Sequence, residues 1–389
     1  MNLTVRGRAL RLLALVLLGT VLVGCGVPIL ANPLPSEAPI VRPTAAPSRA
    51  PDPQPVVLPR DDAPHERLTE WWYDTGHLVA ADGRRFGFEM VMFRGERGDF
   101  PVAWASHLAI TDEHGQRFLY AQRSEVGARV DRSVAGNGFA LSIQGDLSPG
   151  IPDLTANRWT MVGGSGIDHL SGQGTSVDGQ AFGLDLSLDA SGLPPALHDT
   201  DGYIDFGPAG GSYYYSRTRM AATGSVTLYG ETIPVTGDAW FDHQWGDFIA
   251  VGAGGWDWFA VNLADDTDLT LSLVRDAEGG YPLVYGTLVH ADGTTRNLTR
   301  DDFEVTVTKN WESPTTGATY PAGWHISVPD ESLVIDLAPS VADQELDTRD
   351  TTGVVYWEGS QAVSVTRDGV PVTGEAYVEL TGYLPPPGR

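Results

Sequence analysis

The chain has 389 residues and carries 50 acidic against 25 basic groups, a formal charge of −25, with Lys309 its single lysine. Hydrophobic residues make up 42% of it, which is ample for a packed core and excludes wholesale disorder. The acidity excludes a nucleic-acid binder that works through bulk charge and disfavours an electrostatic membrane-surface binder. The lone cysteine, Cys25, excludes an intrachain disulfide and a cysteine-based zinc site.

Residues 1–25 read as an export signal. Arg6, Arg8 and Arg11 form a positive start, residues 12–23 a short apolar run, and Leu22-Val23-Gly24-Cys25 closes it. A run this short is a signal peptide rather than a spanning helix. The Leu-x-Gly-Cys ending resembles a bacterial lipobox, so Cys25 is expected to carry a lipid that anchors the exported chain to the cell envelope. Residues 26–60 hold ten prolines in 35 positions and are expected to form a disordered, extended tether.

From residue 61 the signals are those of strands and tight turns. Asp82-Gly83, Asn137-Gly138, Asp178-Gly179, Asp292-Gly293 and Asp368-Gly369 supply the positive φ that hairpins need, several between alternating apolar residues. No convincing long amphipathic helix follows residue 30. Many short strands with regular turns predict an all-β sandwich or barrel. An internal repeat sets the number of units: Ile233-Pro234-Val235-Thr236-Gly237-Asp238-Ala239-Trp240-Phe241 recurs as Val370-Pro371-Val372-Thr373-Gly374-Glu375-Ala376-Tyr377-Val378. Each copy opens on a tryptophan cluster, Trp71-Trp72-Tyr73 in one and Trp256-Asp257-Trp258 in the other. Two related β-domains in tandem are expected, at 61–248 and 249–389.

The copies diverge just after the shared frame, to Asp242-His243 in one and Glu379-Leu380 in the other. Leu380 alternates in phase with Ala376 and Val378, so it should face a core, and His243 takes the same phase. A histidine in place of a core leucine needs hydrogen-bond partners, which makes His243 a functional candidate; a structurally satisfied buried histidine is the plainer reading. Tryptophan and tyrosine wall apolar pockets while offering N–H and O–H groups. The clusters around Trp71, Trp72 and Tyr73, around Tyr215 and Arg217, and around Trp256 and Trp258 therefore favour a pocket, although any one of these aromatics alone reads as a core plug. His243 and Trp245, two apart on one strand, should line the same wall. Arg217 is equally a candidate ion-pair partner of Asp242 or Glu70.

Other chemistries are weakly signalled. Asp201-Gly202-Tyr203-Ile204-Asp205 resembles a calcium loop without its continuation, no HExxH motif occurs, and no metal site is expected. The nucleophile elbow of α/β-hydrolases and the dinucleotide and P-loop fingerprints are missing from the sequence.

EWWYDTGHL (70–78), SYYYSRTRM (212–220), WFDHQWGD (240–247) and YWEG…YVELTGY (356–383) together resemble the AttH-like and carotenoid 1,2-hydratase family, over about 65–383. The resemblance implies a pair of lipocalin-like β-barrels, each small enough to hold one apolar ligand. It also implies cofactor-free hydration of a carbon–carbon double bond in an isoprenoid or polyene. On this sequence, a protonated Asp257 or Asp242 would deliver the proton. Trp71, Trp72, Tyr73, Tyr215, Trp240, Trp245, Trp256 and Trp258 would line the site and stabilise a carbocation, and His243 would hold the water. Asp257, between two indoles, is expected to have a raised pKa. A non-catalytic carrier of a hydrophobic ligand is the alternative; hydrolysis of a small ester ranks last, for want of an activated nucleophile.

Overall fold

The computed structural model describes residues 52–144, 157–190, 192–248 and 254–384. Cys25 and the tether up to residue 51 lie outside these. Among the described residues the chain is almost entirely antiparallel strand, with three single-turn 3-10 helices.

The strands form two large sheets. The first holds twelve strands between Thr69 and Gly246, the second eleven between Gly255 and Thr381. Each curls around its own core. One core is built on Trp72, Trp104, Trp159 and Phe241, the other on Phe259, Trp324, Trp357 and Leu380.

The middle of both sheets has the same order. In the first, Arg85–Gly95 lies beside Thr69–Ala80, then Glu231–Gly246, then Gly211–Leu228. In the second, Asp268–Arg275 lies beside Gly255–Leu263, then Gly374–Thr381, then Val354–Arg367. The registers match as well. Tyr73 sits opposite Asp242 and Trp258 opposite Glu379. Ser216 faces Asp242 where Glu358 faces Glu379. The repeat seen in the sequence is thus a four-strand unit used twice.

These central strands are buried on both faces. Side chains alternate across a strand, so Trp72, Phe241, His243 and Trp245 point into the first barrel. Tyr73, Val91 and Trp240 point outward, and there they meet Trp258, Ala260 and Tyr377 of the second sheet. A strand with two buried faces loses the clean apolar–polar alternation that would tell inside from outside.

The end of the Pro-rich segment is not free. Val56 and Leu58 pack on the first core. The Asp52 carboxylate pairs with Arg67 at 2.6 Å and 2.7 Å, and the Gln54 N–H donates to the Tyr213 hydroxyl at 2.7 Å. Composition assigned 52–60 to the tether because prolines dominate it; the few apolar and acidic residues between them are what dock it.

Close backbone approach at the central strands requires glycine. A Cβ at Gly76 would lie 2.3 Å from the Asp238 carbonyl and 2.8 Å from Ala239 Cα. Gly76→Ala is expected to destabilise the fold by about 1–3 kcal/mol, as overpacking does, whereas Gly83→Ala at an open turn with φ +88° should cost only its backbone strain. Urea denaturation of the two variants against wild type checks this.

Candidate active site

Between the two sheets lies a cavity of about 880 Å³. Its walls come from the outward faces of the repeated strands. Trp71, Phe93, Phe206, Phe248, Trp256 and Trp258 give it an aromatic lining. Four carboxyl groups, Asp242, Glu89, Glu358 and Glu379, lie along it with Tyr73, Tyr214, Tyr285 and Tyr356, and Asp276 is a fifth acid on its wall.

Asp242 is the most heavily bonded of the four. Its Oδ1 accepts from Trp240 Nε1 at 2.7 Å and from the Ser216 hydroxyl, and its Oδ2 accepts from the Tyr214 hydroxyl. Burial pushes its pKa up to about 6, against the pull of these donors. Behind Ser216 stands His198, with Nε2 2.7 Å from the serine oxygen and Nδ1 2.8 Å from Thr287 Oγ1. Ser216 gives its one proton to Asp242, so His198 Nε2–H donates to Ser216 and Thr287 donates to Nδ1. Burial holds this imidazole neutral, with its pKa lowered to about 3.

The other three carboxyls have fewer donors. Glu89 Oε1 accepts from the Tyr356 hydroxyl at 3.0 Å, Glu358 Oε1 from the Tyr73 hydroxyl, and Glu379 Oε2 from Trp256 Nε1 at 3.0 Å. Burial raises Glu89 to about 8 and Glu379 to about 7. Glu358 is pushed well above the carboxylate range by burial and by Glu89 and Glu379 beside it.

The structure divides the residues singled out in the sequence between two places. Trp71, Tyr73, Asp242, Trp256 and Trp258 line the cavity, and Trp240 braces Asp242 from beside it. Trp72, Tyr215, Arg217, His243 and Trp245 point into the first barrel instead. There Arg217 pairs with Asp62, not with Asp242 or Glu70, and Tyr215 donates to the same Asp62. His243 Nε2 lies 3.0 Å from Glu70 Oε1, stacked on Trp72 with ring centres 4.7 Å apart. The His65 Nδ1 atom reaches the same Glu70 oxygen at 2.7 Å. Asp257 takes the register position of Trp72 and so points into the second barrel. It accepts from Tyr383 at 2.8 Å and Tyr281 at 3.2 Å, with Arg275 at 3.4 Å. Its pKa is raised, by burial and in spite of Arg275, but away from the cavity.

His65, Glu70 and His243 are the described residues whose donor atoms come close enough for a shared cation, within 4.8 Å of one another. As placed they form a hydrogen-bonded triad on one carboxylate oxygen. Burial pushes the Glu70 carboxyl up, but the two imidazoles stabilise its charge by more and leave it below its ordinary pKa; His65 is held above its ordinary value by Glu70 and Asp61 against the opposing effect of burial.

Sequence reasoning missed Glu89, His198, Tyr214, Glu358 and Glu379 as members of one site. Glu379 had a signal, since the repeat aligns it with Asp242. Glu89 and His198 had none, because each is brought in from a separate hairpin or loop by the folded sheet alone.

The raised carboxyls have a consequence for stability. A carboxyl whose pKa is higher folded than unfolded binds its proton more tightly when folded, so stability falls as pH rises from about 4 to the folded value. Buried neutral His107 and His198, both lowered to about 3, act the opposite way, and their contribution is complete above about pH 6.5. Between pH 6.5 and 8.5 the raised carboxyls act in the same direction as His65, whose raised pKa likewise loses stability as pH rises. Stability should fall there, with Glu89 contributing on the order of 2 kcal/mol, and Glu89→Gln should flatten the slope. Calorimetric melts at the two pH values test both.

Comparison with known proteins agrees with this architecture. The AttH-like family model matches residues 49–383. A crystal structure of a Nitrosomonas europaea protein described as an AttH superposes with a TM-score of 0.72 at 30% identity, covering 85% of this chain and 98% of that one. Kievitone hydratase from Nectria haematococca superposes with a TM-score of 0.60 at 18% identity, covering 84% and 93%. Comparison with curated proteins gave no match. With its all-β, lipocalin-like architecture and a match running through both sheets, the chain belongs to the AttH-like family.

Proposed function

We propose that the cavity between the sheets binds an apolar unsaturated molecule, an isoprenoid or polyene, and adds water across one of its double bonds. The observation that carries this reading is Asp242, a buried carboxyl in an aromatic-walled cavity with its pKa raised to about 6. The fold shared with kievitone hydratase, named a hydratase, supports the reaction class.

The step is balanced without any redox partner. The Asp242 O–H proton passes to one alkene carbon and the π electrons form that C–H bond. The neighbouring carbon becomes a carbocation, which the faces of Trp256, Trp258 and Tyr73 stabilise. The carboxylate left behind is met by Tyr214, Ser216 and Trp240, donors already aimed where negative charge develops. Water attacks the cation, and its surplus proton returns to the Asp242 carboxylate, so the net change is one water gained. His243 and Asp257 take no part, since each faces a barrel interior.

Residues 1–25 support a further proposal, that Cys25 is lipidated and holds the protein at the extracytoplasmic face of the envelope, where a hydrophobic substrate would be met in or near a membrane.

Product mass after incubation with acyclic polyenes and prenyl lipids tests the reading. Wild type should yield a product heavier by one water. Asp242→Asn should lower turnover by about 10²–10⁴-fold with ligand affinity unchanged within a few-fold, while Asp257→Asn should keep turnover and lose stability. Tight binding across the panel with no change in ligand mass would overturn the hydratase and leave a carrier.

A further inference from the structure

The two halves of the cavity have diverged from one plan. At matching register positions, the first sheet places Asp242 opposite Ser216, and the second places Glu379 opposite Glu358. The first half holds one acid met by three donors, an arrangement that accommodates negative charge. The second half holds two acids side by side, with Glu89 reaching in from the first sheet as a third, and among the described residues each of the three has one donor. Residues opposite one another on neighbouring strands have Cβ atoms about 5 Å apart, so Glu358 and Glu379 cannot both carry charge cheaply.

Among the described residues no cation is paired with them. The two arginines on the cavity wall are engaged elsewhere. Arg275 donates to the Thr381 carbonyl and stacks on the Tyr383 ring, 3.7 Å from its centre. Arg349 is paired with Asp347 at 2.7 Å. The fixed donors Tyr356, Tyr73 and Trp256 occupy one oxygen of each acid, so a proton on the acid belongs on the other oxygen. For Glu89 that other oxygen, Oε2, is buried with no hydrogen-bond partner among the described residues, in a side chain that is 0% exposed and lines the cavity. A purely hydrocarbon ligand would leave such donors unmatched in a space emptied of water, at about 1–3 kcal/mol for each.

Resting on the reading that this cavity binds an apolar substrate, we infer that Glu89, Glu358 and Glu379 form a recognition site for an oxygen acceptor on that substrate. The ligand is an apolar chain or ring system bearing a hydroxyl, ether or carbonyl group, and not an unfunctionalised hydrocarbon. The carboxyl groups donate to its oxygen, and Asp242 across the cavity acts on the double bond. The raised pKa values of all three glutamates agree with their standing protonated at neutral pH.

The test is a matched ligand series on the full chain: a C20 prenyl hydrocarbon, its terminal alcohol and its terminal amine, presented in the same detergent. Quenching of tryptophan fluorescence reads binding, since Trp71, Trp256 and Trp258 line the cavity. The alcohol should bind at least tenfold more tightly than the hydrocarbon. Glu358→Leu should erase that preference, while Glu358→Gln, which keeps an N–H donor in the same place, should retain most of it. Equal binding of alcohol and hydrocarbon by wild type overturns the inference whether or not the leucine variant folds. Tighter binding of the amine than of the alcohol overturns it too, since that would mean ionised glutamates. The readout is separate from turnover. Water added to the hydrocarbon as readily as to the alcohol would sink this inference and keep the hydratase; an alcohol preference with no water added to any ligand would do the reverse.

Discussion

Tyr73 of the first sheet donates to Glu358 of the second, and Tyr356 of the second donates back to Glu89 of the first. His107 bonds the same Tyr356 hydroxyl at 2.7 Å, Thr218 donates to Asp268 at 2.7 Å, and Trp258 donates to the Tyr214 hydroxyl at 3.1 Å. All of these cross a seam from which water is excluded. A buried polar group left unmet there costs more than its hydrogen bond gains, so the two sheets have few ways to dock. The cavity exists where this docking leaves room, and two of its acids, Glu89 and Glu358, are the acceptors of crossing bonds.

The fold was legible in the sequence to a large degree, and for identifiable reasons. The hairpin dipeptides mark strand ends, as at Asp368 and Gly369, both with positive φ, and the Val370–Val378 copy of Ile233–Phe241 exposes the duplicated unit. The phase argument that sends Leu380 into a core also places its side chain correctly in the second barrel. If His243 and Leu380 face inward, Asp242 and Glu379 face outward, and an outward acid reads as solvated unless a second sheet is known to cover it. Asp257 shows the converse. Its two indole neighbours in sequence lie on the other side of the pleat, so adjacency along the chain suggested a pocket that alternation denies.

The interior of the first barrel has a polar network of its own, distinct from the Asp257 cluster of the second. Glu70 and His243 stand where the second copy has Gly255 and Leu380, and Arg217 with Asp62 adds a buried ion pair. Asp62 also takes hydrogen bonds from Tyr215 and from the Ser165 N–H, and its carbonyl accepts from Trp72 Nε1. Since Asp61, Asp62 and His65 belong to the segment entering the barrel, these contacts close one end of it. Their partners are far apart in sequence, which is why Arg217 invited a pairing with Asp242 or Glu70 before the fold was seen.

That docked segment also bears on where the protein can work. The clamp of Asp52 on Arg67 ties the start of the described chain to the first barrel, well before the first strand. With Cys25 as the proposed anchor, 26 residues lie between lipid and clamp, and even fully drawn out the stretch would span on the order of 90 Å. A pull on an anchor ahead of Asp52 would be borne by the first barrel through Arg67 and Tyr213, leaving the seam and its cavity out of the line of force.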